Sequence, residues 1–90
     1  MSRKWVLLYE TAEGGLPKAQ VHFPAHKKRV DEFHARGVLL MVGTLGSPPA
    51  GALGVFTTRE AAEEFTREDP FVLHGVVNRG IIHEWNEVLT

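Results

Sequence analysis

Val38–Thr57 reads VLLMVGTLGSPPAGALGVFT, and how this stretch folds decides the architecture. Its first five residues, Val38, Leu39, Leu40, Met41 and Val42, form an apolar run between Gly37 and Gly43, too short for a helix and suited to a pleated surface. The run is a strand that reaches about Leu45. Gly46-Ser47-Pro48-Pro49-Ala50-Gly51 is a connection by composition, because Gly and Pro set turn geometry. A further strand then occupies about Ala52 to Thr57, antiparallel to the previous one across this loop. The glycines from Gly43 to Gly54 do not make a phosphate loop, since the segment lacks the Gly-Lys-Ser/Thr ending and joins two strands instead of opening a helix. Ser47, next to Pro48, has no nucleophile-elbow glycines, so a serine hydrolase finds no support.

The hairpin is flanked by helical patterns on both sides. Upstream, about Val21 to Arg36 places Phe23, His26, Val30 and Phe33 on one face, with Lys27, Lys28, Arg29, Asp31 and Glu32 elsewhere. Pro24 suits the first turn, where a missing N–H costs nothing, and Gly37 suits a left-handed cap. Downstream, Thr57 and Glu60 have capping-box spacing, and Ala61, Ala62 and Phe65 form the inward face of a helix ending near Glu68. Asp69-Pro70 stops it, because a residue before proline avoids the helical region. The ends of the chain supply two outer strands. Lys4 to Tyr9 is β-branched and aromatic on both alternating faces, and Val76 to Trp85 supplies the other, with Asn78, Arg79 and Gly80 interrupting its apolar character. The predicted order is βαββαβ: an α+β fold with a four-stranded antiparallel sheet and both helices on one face.

Composition bounds the function. Ninety residues make one domain spanning 1–90, since chains below roughly 100 residues seldom hold a second core. Ten Lys+Arg against eleven Asp+Glu give a net charge of -1, which is not the basic footprint of a nucleic-acid binder. No apolar stretch approaches the roughly 20 residues of a membrane helix, and the start of the chain lacks a signal-peptide pattern. With no cysteine, disulfides, thiolate metal sites and cysteine nucleophiles are excluded. A cytoplasmic location fits these features.

The helices cover only one face of the sheet, yet strands one, two and four carry apolar residues on both faces. That is unusual for an antiparallel sheet unless its second face is also buried. A second copy is the economical cover, so a homodimer is expected, with clefts suited to a small-molecule ligand.

Periodicity aims His26 at the sheet. Such an imidazole is either a core histidine satisfied by a backbone carbonyl or a general base, and the latter needs a carboxylate to fix its tautomer. Asp69 is the candidate carboxylate. It is equally a natural N-cap for a short turn through Phe71, Val72 and Leu73, and its two oxygens allow both roles. His22 and His26, four apart, have the spacing of a helical zinc pair, but Pro24 intervenes and no third ligand is indicated, so no metal is expected. His34 and His74 read as surface histidines. Arg79 and His83 share strand parity with Ile81 and Trp85, which places them either in a substrate-binding cleft or at the rim of the dimer contact.

Pro24-Ala25-His26 followed by Val30 and Phe33, Asp69-Pro70-Phe71 followed by Gly75, and the ending Ile82, Glu84, Trp85, Asn86, Glu87, Val88 together resemble the YciI-like (YCII-related) domain family. The likeness covers nearly the whole chain except Glu10 to Val21. It implies a ferredoxin-like dimeric α+β barrel, with His26 and Asp69 at the positions of the family's proposed His-Asp pair. Enzymes in the family act on hydroxylated aromatic rings by proton removal and loss of a leaving group. The expectation is therefore a lyase or isomerase in which His26, oriented by Asp69, moves a proton on a small, hydroxylated aromatic or enolisable substrate, with no cofactor required. The alternative is a non-catalytic dimer that binds a small ligand or a partner, because fold does not establish function.

Overall fold

The computed structural model describes residues 2–89. Its elements are β1 (Arg3–Glu10), α1 (Leu16–Ala35), β2 (Leu39–Leu45), β3 (Gly51–Phe56), α2 (Arg59–Arg67), α3 (Pro70–Leu73) and β4 (Ile81–Asn86). The strands form one antiparallel sheet in the order β2-β3-β1-β4. The expected βαββαβ order stands, with the short α3 added where a turn was expected. Among the described residues no helix is long and apolar enough to cross a membrane.

Several boundaries differ from the sequence reading. α1 begins at Leu16, not near Val21, so Pro17 lies in its first turn and Pro24 sits inside the helix. Either proline fits a helix start on local grounds. An interior proline forfeits one backbone hydrogen bond and crowds the preceding turn, and here the helix continues through it. At the other end, Gly37 adopts φ 79° as expected. Its N–H donates to the His34 carbonyl at 2.9 Å, and that of Val38 to the Phe33 carbonyl at 3.2 Å, the bond pair of a Schellman cap.

The start of α2 also shifts by one residue. Thr57 donates its backbone N–H to Val38 at 3.0 Å and so remains part of the hairpin. Thr58 is the N-cap, its hydroxyl oxygen accepting from the Ala61 N–H at 3.1 Å. β4 starts at Ile81, not Val76: the N–H groups of Val76 and Val77 donate to the Phe71 carbonyl at 2.9 and 3.1 Å. Those bonds close α3, and Val77 meets the sheet's edge only through an isolated bridge to Thr11.

Period-two alternation gives the sheet two unlike faces. Leu7, Tyr9, Leu39 and Phe56 point to the helices and are buried with Val30 and Phe33 of α1 and Ala61, Ala62 and Phe65 of α2. The opposite face carries Leu8, Met41, Leu45, Ile81 and Trp85, with Met41 and Ile81 66% and 62% exposed.

Because Thr58, and not Thr57, supplies the capping oxygen, Thr58→Ala is expected to cost about 1 kcal/mol, or a fall in melting temperature of about 4–8 °C for a domain of this size. Thr57→Ala is expected to cost much less, and thermal melts of the two variants make the comparison.

Candidate active site

Asp69 stands between α2 and α3. Pro70 after it ends the one helix and opens the next, because proline has no N–H to lose at a first turn. One Asp69 oxygen, Oδ1, accepts from the Phe71 N–H at 3.1 Å, the N-cap bond expected from sequence. The same oxygen lies 2.7 Å from Nδ1 of His26, which comes from α1. The other, Oδ2, accepts from the Tyr9 hydroxyl of β1 at 2.8 Å. The carboxylate is fully buried, at 0% exposure, and a charge so placed needs such donors to offset its lost hydration. Capping and the contact with histidine thus coexist on one side chain.

Tyr9 and Thr66 extend the network, their hydroxyl oxygens 3.2 Å apart. The phenol has one proton, and its shorter bond is to Asp69, so the Thr66 hydroxyl supplies the proton of the second bond. Burial, and next the neighbouring Asp69 charge, push the Tyr9 phenol well above its ordinary value of 10.0. Gly80 makes room for this ring: a Cβ there would stand 2.9 Å from two of its carbons. Arg29 ties α1 to the end of α2, donating from Nε to the Phe65 carbonyl at 3.0 Å.

The imidazole of His26 is fixed in plane and in rotation. Its ring stacks on Phe71, with centroids 3.9 Å apart and planes within 1°, and meets Phe65 edge-on at 6.3 Å. Asp69 then sets which nitrogen faces inward. With an ionised carboxylate as acceptor, Nδ1 carries the proton and Nε2 presents a lone pair. Nε2 has no hydrogen-bond partner among the described residues, and no polar side-chain atom there is both buried and unpartnered. Nε2 is therefore reachable from outside. The arrangement can accept a proton at Nε2 while the Asp69 carboxylate stabilises the imidazolium that results.

The other residues singled out in the sequence disperse. His83 lies on the open face of the sheet, in a shallow hollow with Val6, Met41 and Trp85. Arg79 precedes β4 and lines two different hollows, one beside Leu8 and Ile81 and one beside α2. Within one chain, then, Arg79 and His83 do not share a cleft. His22 is helical, as Pro24 does not break α1, but its ring stacks on His74 at 4.0 Å while His26 turns to Asp69. His34 places Nδ1 2.8 Å from the Leu39 carbonyl. Phe23, expected to face inward, is half exposed, its ring centre 6.5 Å from that of Phe71.

Tyr9, Thr66 and the Phe71 ring were not anticipated. The available signal for Tyr9 was its parity with Leu7, which places a hydroxyl in the core where it must find a partner.

The sequence profile of the YCII-related domain matches residues 3–86. Among solved structures, 5-chloro-2-hydroxyhydroquinone dehydrochlorinase (TftG) from Burkholderia phenoliruptrix AC1100, in complex with 2,5-dihydroxybenzoquinone, is similar with a TM-score of 0.73 and 20% identity, covering 93% of this chain and 95% of that one. Protein SO0527 from Shewanella oneidensis is similar with a TM-score of 0.55 and 12% identity, covering 96% and 91%. At these identities the likeness shows the shared fold. No curated protein matches the sequence.

Tyr9 is the sole tyrosine, which allows a clean alkaline test. Its folded pKa lies above its unfolded one, so above pH about 10 the unfolded chain binds fewer protons than the folded chain and stability falls. Tyr9→Phe is expected to cost roughly 1–3 kcal/mol at neutral pH by leaving Asp69 short of a donor. Denaturation of the two proteins should show that gap narrowing as pH rises past 10. A constant gap, or tyrosinate absorbance appearing near pH 10 in the folded protein, would contradict this.

Proposed function

The chain belongs to the YCII-related domain family, and from that membership and the geometry around His26 we propose a small-molecule enzyme of lyase or isomerase type. The observation that carries the proposal is the asymmetry of the imidazole: Nδ1 is held by a buried carboxylate and Nε2 is free. In this reading Nε2 takes a proton from an O–H or an activated C–H of the substrate. The electron pair left behind forms a new π bond, and a leaving group departs with its bonding pair. In an isomerisation the same proton returns at another atom. The scheme needs no oxidant and no cofactor. A hydroxylated aromatic is the favoured substrate class, supported by the fold shared with a dehydrochlorinase solved with a dihydroxybenzoquinone.

The second reading, a non-catalytic binding dimer, draws on the same network, because Asp69 ties β1, α1 and α3 together whether or not chemistry occurs. Turnover of a panel of hydroxylated and halogenated hydroquinones separates the two. His26→Ala and Asp69→Asn are each expected to lower turnover on the order of 100- to 10,000-fold while the fold is kept. Wild-type turnover in either variant, or a His26→Ala protein that is mainly destabilised, favours the structural reading.

We further propose that a second copy of the chain covers the open sheet face. Four strands at a spacing of about 4.8 Å, each contributing about six residues of about 3.3 Å, make a face on the order of 400 Å² in projection, a size at which apolar patches mark interaction sites. On β1 the charged residues Lys4 and Glu10 stand at opposite ends, and Arg79 just before β4 and Glu84 within it lie at the edge, leaving an uncharged centre of Val6, Leu8, Leu53 and Val55. An apolar centre with a polar rim is the anatomy of an interface, and a self-complementary patch suits a two-fold pair. His83 then belongs to the covered face. Light scattering is expected to give twice the 10.0 kDa chain mass, and Met41→Glu, which puts a charge on the patch, is expected to give the single-chain mass. A monomeric wild type would contradict this.

A further inference from the structure

Arg59, Arg67 and Arg79 converge on a cleft of about 230 Å³ between α2 and the start of β4, which Glu63, Thr66, Gly80 and Ile82 also line. Three arginines lining so small a space are conspicuous in a chain whose net charge is -1. Arg59, Glu63 and Arg67 recur at four-residue spacing and so share one side of α2. Arg59 is committed: it pairs with Glu63 at 3.7 Å, and its guanidinium carbon lies 5.4 Å from the Trp5 ring centre. That pair cancels the one acidic charge of the cleft. Arg67 and Arg79 have no ion-pair or side-chain hydrogen-bond partner among the described residues. Two arginines without a hydrogen-bonded or ion-paired carboxylate therefore line one cleft, beside the buried Thr66.

We propose that this cleft binds the phosphoryl group of a ligand. A phosphate monoester carries up to two negative charges, matching the two unpaired guanidinium groups, and its oxygens accept from the planar forks of arginine, which suit them geometrically. A carboxylate would match only one of the two. The cleft is separate from His26: Tyr9 and Asp69 lie between Thr66 and the imidazole in the hydrogen-bond chain. His83 is not part of it. His26 does not line the cleft, so phosphoryl binding and turnover are read by separate measurements.

The test is an NMR titration of the full chain with inorganic phosphate, followed at the arginine Nε–H and the Thr66 amide resonances, with chloride and acetate at matched ionic strength as controls. Phosphate is expected to cause saturable shifts at Arg67, Arg79 and Thr66. Its affinity should fall at least ten-fold in Arg67→Gln and in Arg79→Gln, exposed positions whose replacement leaves the core intact. Arg36→Gln should leave it unchanged, because Arg36 is already paired with Glu64 at 3.0 Å. Shifts that follow ionic strength without saturating, or that survive both cleft substitutions, would overturn the site. Acetate binding as tightly as phosphate would overturn the phosphoryl assignment.

Discussion

The structure depends on one buried carboxylate. Asp69 is wholly enclosed, and the cost of enclosing a charge obliges its surroundings to supply donors. They come from separate elements: a hydroxyl from β1, an imidazole from α1 and a backbone N–H from α3. Each donor satisfies the carboxylate, and each is in turn oriented by it. The histidine gains most from this, because a ring stacked on Phe71 and bonded through Nδ1 has little freedom left. A side chain that caps a four-residue helix thereby also orients an imidazole.

The two faces of the sheet divide the remaining work. The helix-side face builds the core and brings Tyr9 to Asp69, through the same alternation that sends Leu8 to the opposite side. The open face buries Val55 but leaves Leu8, Met41, Ile81 and Trp85 exposed, and the proposed second copy would cover them. A ninety-residue domain buries a smaller fraction of its surface than a larger one does, so association would supplement its core. The arginine cleft lies between α2 and the start of β4.

Much of this could be read in the sequence, for reasons that differ by residue. The Val38–Thr57 hairpin was legible because a five-residue apolar run between glycines leaves a helix no room, and Gly37 fell where a left-handed cap requires it. Proline misled, since Pro17 and Pro24 each suit a helix start and the helix begins at the earlier one. The Thr57–Glu60 spacing pointed to Thr57 as the cap; the hairpin bond of Thr57 to Val38 leaves that place to Thr58. His26 and Asp69 were each recognisable, one by helical periodicity and the other by the proline after it. Their contact spans 43 positions and is a product of the tertiary fold. Tyr9 and Thr66 were missed because a hydroxyl inside an apolar pattern carries no mark of the partner it will find.

The central claim is that Asp69 holds His26 with its proton on Nδ1 and its lone pair on Nε2. Nitrogen-15 NMR of the imidazole, at a pH where the ring is neutral, tests it most directly. The account predicts the Nδ1–H tautomer for His26 in the wild-type protein. An Nε2–H tautomer, with Nδ1 accepting a proton from a neutral Asp69, would contradict it and leave His26 without the lone pair a general base requires.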